Sequence, residues 1–183
     1  ALSALVFAYN FSQSGPKPGL LIFGMLYVGF ALSMMIWLRD QDTAAGLYHF
    51  CTLLFIVWAS DICAYFTGRT LGGPKLAPAI SPKKTWSGTV AGWVGAALVG
   101  AVFWQMGFAP AGLIVFSTLV SFAGQMGDIA ESWIKRRSGV KDSSNLIPGH
   151  GGFLDRFDAM TGAVVLVVLL SLVLSLPLPV GGQ

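Results

Sequence analysis

The sequence predicts an all-α integral membrane protein, and three observations carry that prediction. Only 10% of its 183 residues are charged, while 55% are hydrophobic. A soluble domain usually carries roughly 25% charged residues in its polar skin, and eleven basic plus eight acidic side chains cannot supply one. Mean hydropathy is +0.72. The apolar residues also fall in runs close to the ~20 residues that a helix needs to cross the hydrocarbon core. Intrinsic disorder and a disulfide-stapled scaffold are both excluded. Cys51 and Cys63 share one apolar run and have no metal-binding spacing.

Taken in order, residues 1–11 are apolar but too short to span. With no initiator Met, they read as the tail of a helix cut at its start. They lack the basic region and small-residue cleavage site of a signal peptide. Residues 19–38 form an uninterrupted span, and residues 43–66 a second that carries Asp61 near its end. Residues 89–106 and 111–130 form a pair joined by the short link 107–110, and residues 159–176 form the last, closed by Pro177 and Pro179. The expectation is a polytopic bundle of about five complete transmembrane helices plus a partial N-terminal one, forming a single transmembrane domain over residues 1–183. No repeat of fixed period and no low-complexity tract interrupts it.

Charge placement orients the bundle. If five spans alternate, Lys17, Arg69, Lys75, Lys83, Lys84, Lys135, Arg136, Arg137, Lys141 and Arg156 share one side, which is ten of the eleven basic residues. The positive-inside rule makes that side cytoplasmic. Only Arg39, beside Asp40 and Asp42, falls opposite. Two basic cytoplasmic loops result, residues 67–88 and 132–158, and both are rich in Gly, Pro and Lys/Arg. That composition suits an anion-binding site better than a plain anchor.

The acids mark where chemistry can sit. A carboxylate at a helix centre costs about 2.5–3.5 kcal/mol on insertion scales, so it needs a partner or water. Asp61 lies one turn before Tyr65. Asp128, Glu131, Ser132 and Lys135 fall at i, i+3, i+4 and i+7, on one helical face, and Gln125 extends the stripe one turn deeper. This stripe is either glue between helices or a catalytic or ion-conducting track. Asp155 and Asp158, three apart at the start of the final helix, either cap it or pair as hard oxygen ligands. Paired carboxylates without Cys or clustered His favour Mg²⁺ or Mn²⁺ over zinc. Gly149, Gly151 and Gly152 let the backbone approach a ligand closely, and His150 between them is a candidate phosphate contact.

In the other loop, Lys83 and Lys84 beside Ser81 and Thr85 form a compact set of phosphate donors, or else ordinary orienting charge. Neither loop has Walker spacing or the strand that precedes a dinucleotide fold. His49 reads as packing. Gly88 and Gly92 read as a close helix contact, and the six tryptophans as an aromatic belt.

These blocks together resemble a known family. The run Ser132-x-x-Lys135-Arg136-x₄-Lys141-Asp142-x₄-Ile147-Pro148-x-His150-Gly151-Gly152-x-x-Asp155-Arg156-x-Asp158 resembles the signature of phosphatidate cytidylyltransferases, the CDP-diacylglycerol synthases. Trp58-x-x-Asp61-x-x-Ala64-Tyr65-x-x-Gly68-Arg69, Ser81-Pro82-Lys83-Lys84-Thr85-Trp86 and Gly127-Asp128-x-x-Glu131-Ser132 resemble three further blocks of that family. Ser87 stands where an acid is expected, and further membrane helices usually precede the first one seen here.

The resemblance implies the reaction CTP + phosphatidate → CDP-diacylglycerol + pyrophosphate. It implies catalytic roles for Lys135, Arg136, Lys141, Asp142, His150 and Arg156, and substrate contacts for Arg69, Ser81, Lys83, Lys84 and Thr85. Asp61, Asp128, Glu131, Asp155 and Asp158 become candidate ligands of Mg²⁺, with Mn²⁺ as a substitute and a second monovalent cation such as K⁺ beside it. A homodimer in the inner (cytoplasmic) membrane, with its site on the cytoplasmic side, is expected. Nucleic acid is not an expected partner. A related enzyme acting on another lipid (of the CDP-archaeol synthase or polyprenol kinase type) and an ion-coupled transporter are the alternatives.

Overall fold

The computed structural model of the protein describes residues 18–40, 43–137 and 158–178. Each apolar run within them forms a helix: α1 (Pro18–Arg39), α2 (Thr43–Thr70), α3 (Trp86–Gln105), α4 (Gly112–Arg137) and α5 (Asp158–Ser171). Two short strands, β1 (Lys75–Ala77) and β2 (Ser81–Thr85), lie between α2 and α3.

Three of the described helices are long and apolar enough to cross a membrane: α2 from Ala45 onward, α3 and α4. α1 and α5 contribute shorter apolar stretches, Leu26–Arg39 and Asp158–Ser171. The expected count of five complete spans is therefore not reached by length among the described residues, and residues 1–11 lie outside them. α5 has 14 residues, about 21 Å at ~1.5 Å per residue. It stops before residue 176, where the Ser171 hydroxyl donates to the Val168 carbonyl at 2.7 Å. The chain then runs on without helix to Pro177, which sits beside Gly112 at the start of α4.

The all-α expectation is corrected in the segment 67–88, which is not an open loop. α2 runs on to Thr70, and β1 and β2 form an antiparallel hairpin with Lys75 opposite Thr85 and Ala77 opposite Ser81. The hairpin follows Gly72 and Gly73, whose φ angles of 60° and 107° suit glycine. A lone two-stranded hairpin is marginal in water, so its ties to the helices matter. The Trp86 amide donates to the Pro74 carbonyl at 3.0 Å, Ser87 donates to the Gly72 carbonyl, and Arg136 Nε reaches the Ile80 carbonyl at 3.4 Å. The segment 132–158 also begins as helix, because α4 extends to Arg137.

α3 packs between α2 and α4, α5 packs on α4, and α1 covers α5 and α2. Leu53, Ile56, Leu113, Val120, Val164 and Val167 form the buried centre. Large apolar side chains such as Val94, Leu98, Val115 and Leu119 face outward. Lipid tails are as apolar as Leu, so such helices associate through close packing rather than hydrophobic exclusion. Glycines permit it. A Cβ on Gly127 of α4 would stand 2.7 Å from the Gly162 Cα of α5. A Cβ on Gly88 of α3 would stand 2.7 Å from the Ala64 carbonyl oxygen of α2. The expected close contact at Gly88 and Gly92 is present, with both residues buried.

This packing brings the last turns of α2 and α4 and the first turn of α3 to one end of the bundle, beneath the hairpin. The site lies there.

Candidate functional site

An open cleft of about 610 Å³ occupies that end. α2 contributes Asp61, Tyr65 and Arg69, the hairpin Lys75, Lys83 and Lys84, and α4 Gln125 and Asp128. Thr85, Gly88 and Thr89 bring the start of α3 to its wall. Thr85 caps that helix, its hydroxyl accepting from the Gly88 amide at 3.2 Å. The positive end of the α3 dipole thus lies at the cleft wall, where it favours an anion.

At the centre is an ion pair. Lys84 Nζ lies 2.5 Å from Asp128 Oδ2 and 3.4 Å from the Gln125 carbonyl. The two side chains retain 22% and 28% exposure, so a ligand in the cleft can reach both. Ser132, one turn on, donates to Asp128 Oδ1 at 3.3 Å. Asp61 is close enough to Asp128 to repel it and close enough to Lys84 to be attracted. Asp158, at the start of α5, feels the charges of both Asp128 and Asp61. Asp61 and Asp128 line the cleft with Lys84, whereas Asp158 lies outside the lining, its Oδ1 accepting from the Ala159 amide at 2.7 Å. At the cleft edge, Arg69 donates to the Tyr65 hydroxyl at 2.8 Å.

The stripe on α4 divides in two. Asp128 lines the cleft and Ser132 bonds to it from one turn on, whereas Glu131 and Lys135 are buried, with their charges 3.3 Å apart. Glu131 and Lys135 do not line the cleft. Arg136 braces the hairpin turn through Ile80, and the Thr85 hydroxyl serves the cap. Ser81 begins β2 outside the lining. Lys141, Asp142, His150, Asp155 and Arg156 lie outside the described residues.

The sequence reading missed Tyr65, Lys75 and Thr89 as cleft residues, and it placed Trp93 in an aromatic belt. Trp93 instead donates from Nε1 to Gln125 Oε1 at 3.0 Å. The sequence signalled only that a Gln inside an apolar span needs a partner, not which residue supplies it.

Among the described residues, no three His, Cys, Asp or Glu side chains gather closely enough to hold a metal ion by themselves. A Mg²⁺ ion does not need such a cage. It commonly takes one or two carboxylates and completes its shell with water and substrate phosphates. Asp61 and Asp128, which both line the cleft, fit that requirement.

A lysine-rich hairpin, a helix start and converging carboxylates can hold a polyphosphate together with a cation. The model of the cytidylyltransferase family matches residues 2–174. The chain belongs to the cytidylyltransferase family. The phosphatidate cytidylyltransferase of Brucella suis is 43% identical over 159 residues, covering 84% of this chain and 57% of the relative. The enzyme of the same name from Haemophilus influenzae is 39% identical over 145 residues (75% and 50%), and that from Bacillus subtilis 38% over 144 (77% and 53%). This cytidylyltransferase-family chain thus spans about half the length of these three relatives.

Proposed function

We propose that this chain carries the catalytic site of a phosphatidate cytidylyltransferase, joining CTP and phosphatidate to give CDP-diacylglycerol and pyrophosphate. The observation that carries the reading is the Lys84–Asp128 pair at the floor of a cleft roofed by the lysine-bearing hairpin. The relatives' names support the choice of substrates.

In this reaction a phosphatidate oxygen bonds to the α-phosphorus of CTP, and the bond from that phosphorus to the bridging oxygen breaks. Pyrophosphate leaves with that electron pair. The lipid phosphate is already an anion, so no strong base is required. The demand is on neutralising and aligning two polyanions. Lys75, Lys83 and Lys84 bind phosphate oxygens from the hairpin, and Arg69 does so from the end of α2. The α3 N-terminus adds the positive end of its dipole. Asp128 orients Lys84 in the resting site.

A Mg²⁺ held by Asp128 and Asp158, joined by Asp155, would supply further charge to the phosphate oxygens. A K⁺ near Asp61 or Asp142 is the second cation of the proposal. Lys141, His150 and Arg156 belong to the same site, and Glu131 and Lys135 support it as a buried pair. The whole is one catalytic unit of a multi-pass homodimer in the inner membrane. Five helices cross the bilayer and the cleft faces the cytoplasm, as the basic residues at that end require.

The test is an assay of purified protein in lipid micelles with CTP labelled at the α-phosphorus, phosphatidate, and Mg²⁺ or EDTA. Labelled CDP-diacylglycerol and pyrophosphate in equal amounts are expected, with Mg²⁺ only. Release of CDP with phosphorylation of a lipid would replace this reading with a lipid kinase. No nucleotide turnover at all would sink it.

A further inference from the structure

We propose that Gln125 is a positioning residue for this reaction, holding the Lys84 end of the hairpin in register with Asp128. The inference rests on the proposed function only for its kinetic readout. Gln125 is buried at 8% exposure in the middle of three helices, where an unsatisfied amide is costly. Its amide orientation is fixed by chemistry. An indole N–H can only donate and a backbone carbonyl can only accept. Oε1 therefore accepts from Trp93 at 3.0 Å, and Nε2 donates to the Thr89 carbonyl at 3.2 Å.

Both partners are on α3, so one side chain of α4 holds α3 at two points about a turn apart. Thr89 hydrogen-bonds in turn to the Thr85 carbonyl at 3.0 Å. Thr85 caps α3 and immediately follows Lys84, which reaches back to the Gln125 carbonyl and to Asp128. The loop of contacts is closed: Gln125, Thr89, Thr85, Lys84, Gln125. No other described residue makes side-chain hydrogen bonds to α3 and accepts from Lys84 as well. Gly92 completes the seat. A Cβ there would stand 2.6 Å from Gln125 Nε2 and 2.9 Å from Ser60 Oγ, so the amide fits only against glycine. Ser60 and Ser121 satisfy each other at 2.6 Å beside it and leave the amide to α3.

The decisive variants are Gln125→Met, which keeps the side-chain length and removes both amide bonds, and Trp93→Phe, which removes one of them. If Gln125 acts through Lys84, its loss matters little once Lys84 is gone. Gln125→Met should lower kcat at least tenfold in the wild-type background and less than twofold in the Lys84→Gln background. Trp93→Phe should show the same pattern at about threefold. Hydrogen exchange in micelles gives a readout independent of activity. Exchange should rise about tenfold over residues 75–92 and stay unchanged over 95–117.

Losses that multiply with Lys84→Gln, exchange that rises evenly along α3 and α4, or kcat within twofold for both variants would overturn the proposal. If Gln125→Met fails to fold, Trp93→Phe decides by the same criteria. If the wild-type protein turns over no CTP, the proposed function falls, and the exchange pattern alone still decides whether Gln125 holds the hairpin.

Discussion

Lys83 and Lys84 are neighbours in sequence with unlike surroundings. Lys83 is exposed on the hairpin, and Lys84 is turned inward against Asp128. A charge-assisted contact in a partly dehydrated site contributes about 1.5–3 kcal/mol, roughly ten- to more than a hundredfold in kcat/KM. Lys84→Gln should lose that much for CTP, and Lys83→Gln less than about fivefold. Steady-state kinetics on inserted protein measures both, and equal small losses would reduce the two lysines to orienting charge. Asp128→Asn should remove several kcal/mol of charge stabilisation and so orders of magnitude in kcat. Activity near normal at limiting Mg²⁺ would show that Asp128 only holds Lys84. Asp128 was legible in the sequence because an acid in an apolar span is costly, whereas the two lysines alone read equally as orienting charge and were singled out by the resemblance of Ser81–Trp86 to a family block. Trp93 was not legible, because its bond to Gln125 joins two apolar spans that sequence alone does not align.

At the scale of elements, the apolar runs located all five described helices but not their ends. Hydropathy registers only the part of a helix inside the hydrocarbon. The polar turns that carry α2 to Thr70 and α4 to Arg137 leave no such trace, and they bring Arg69 to the cleft and Arg136 to the hairpin turn. The hairpin was missed because β2, Ser-Pro-Lys-Lys-Thr, has no apolar alternation. It is held by contacts to helix ends rather than by its own pattern. The crossing of α2 and α3 was legible in its glycines, and it yields a stability prediction. At Gly88 the opposing atoms are the Ala64 carbonyl oxygen and the Gly68 Cα, backbone on α2 that cannot rotate away. Gly88→Ala should therefore cost about 1–3 kcal/mol, the usual range for overpacking. It should also loosen the hairpin, whose link to α3 is the adjacent Thr85 cap. Thermal unfolding in detergent checks the first effect. An unchanged midpoint would mean that the helices separate there without cost.

For the whole molecule, helix ends and charge distribution make one prediction. Lys83 and Arg137 lie at the cleft end, and Met106 follows α3 at its other end. With Cys51 and Cys63 replaced, single cysteines at 83 and 137 should react with an impermeant thiol reagent from the cytoplasmic side of sealed vesicles. One at 106 should react only from the opposite side. Labelling of 83 and 106 from the same side would refute the orientation. The fold class was readable from composition because a membrane protein turns its apolar surface outward. Three crossings follow from helix length and apolarity among the described residues, and α5, with 14 residues, is shorter than the apolar run that marked it.

The Lys84–Asp128 pair has a consequence for a protein that works at a membrane. Bilayer surfaces present phosphate esters in great excess over any one substrate, and a bare lysine cluster would be crowded by them. A cation already engaged by a carboxylate is withheld from such monoanionic headgroups, which offer too little to displace an aspartate at contact distance. Under the proposed function, CTP arriving with a divalent ion would meet both partners it needs, Asp128 for the ion and Lys84 for a phosphate oxygen. The resting pair would then favour a metal-bound triphosphate over a lone headgroup by charge alone.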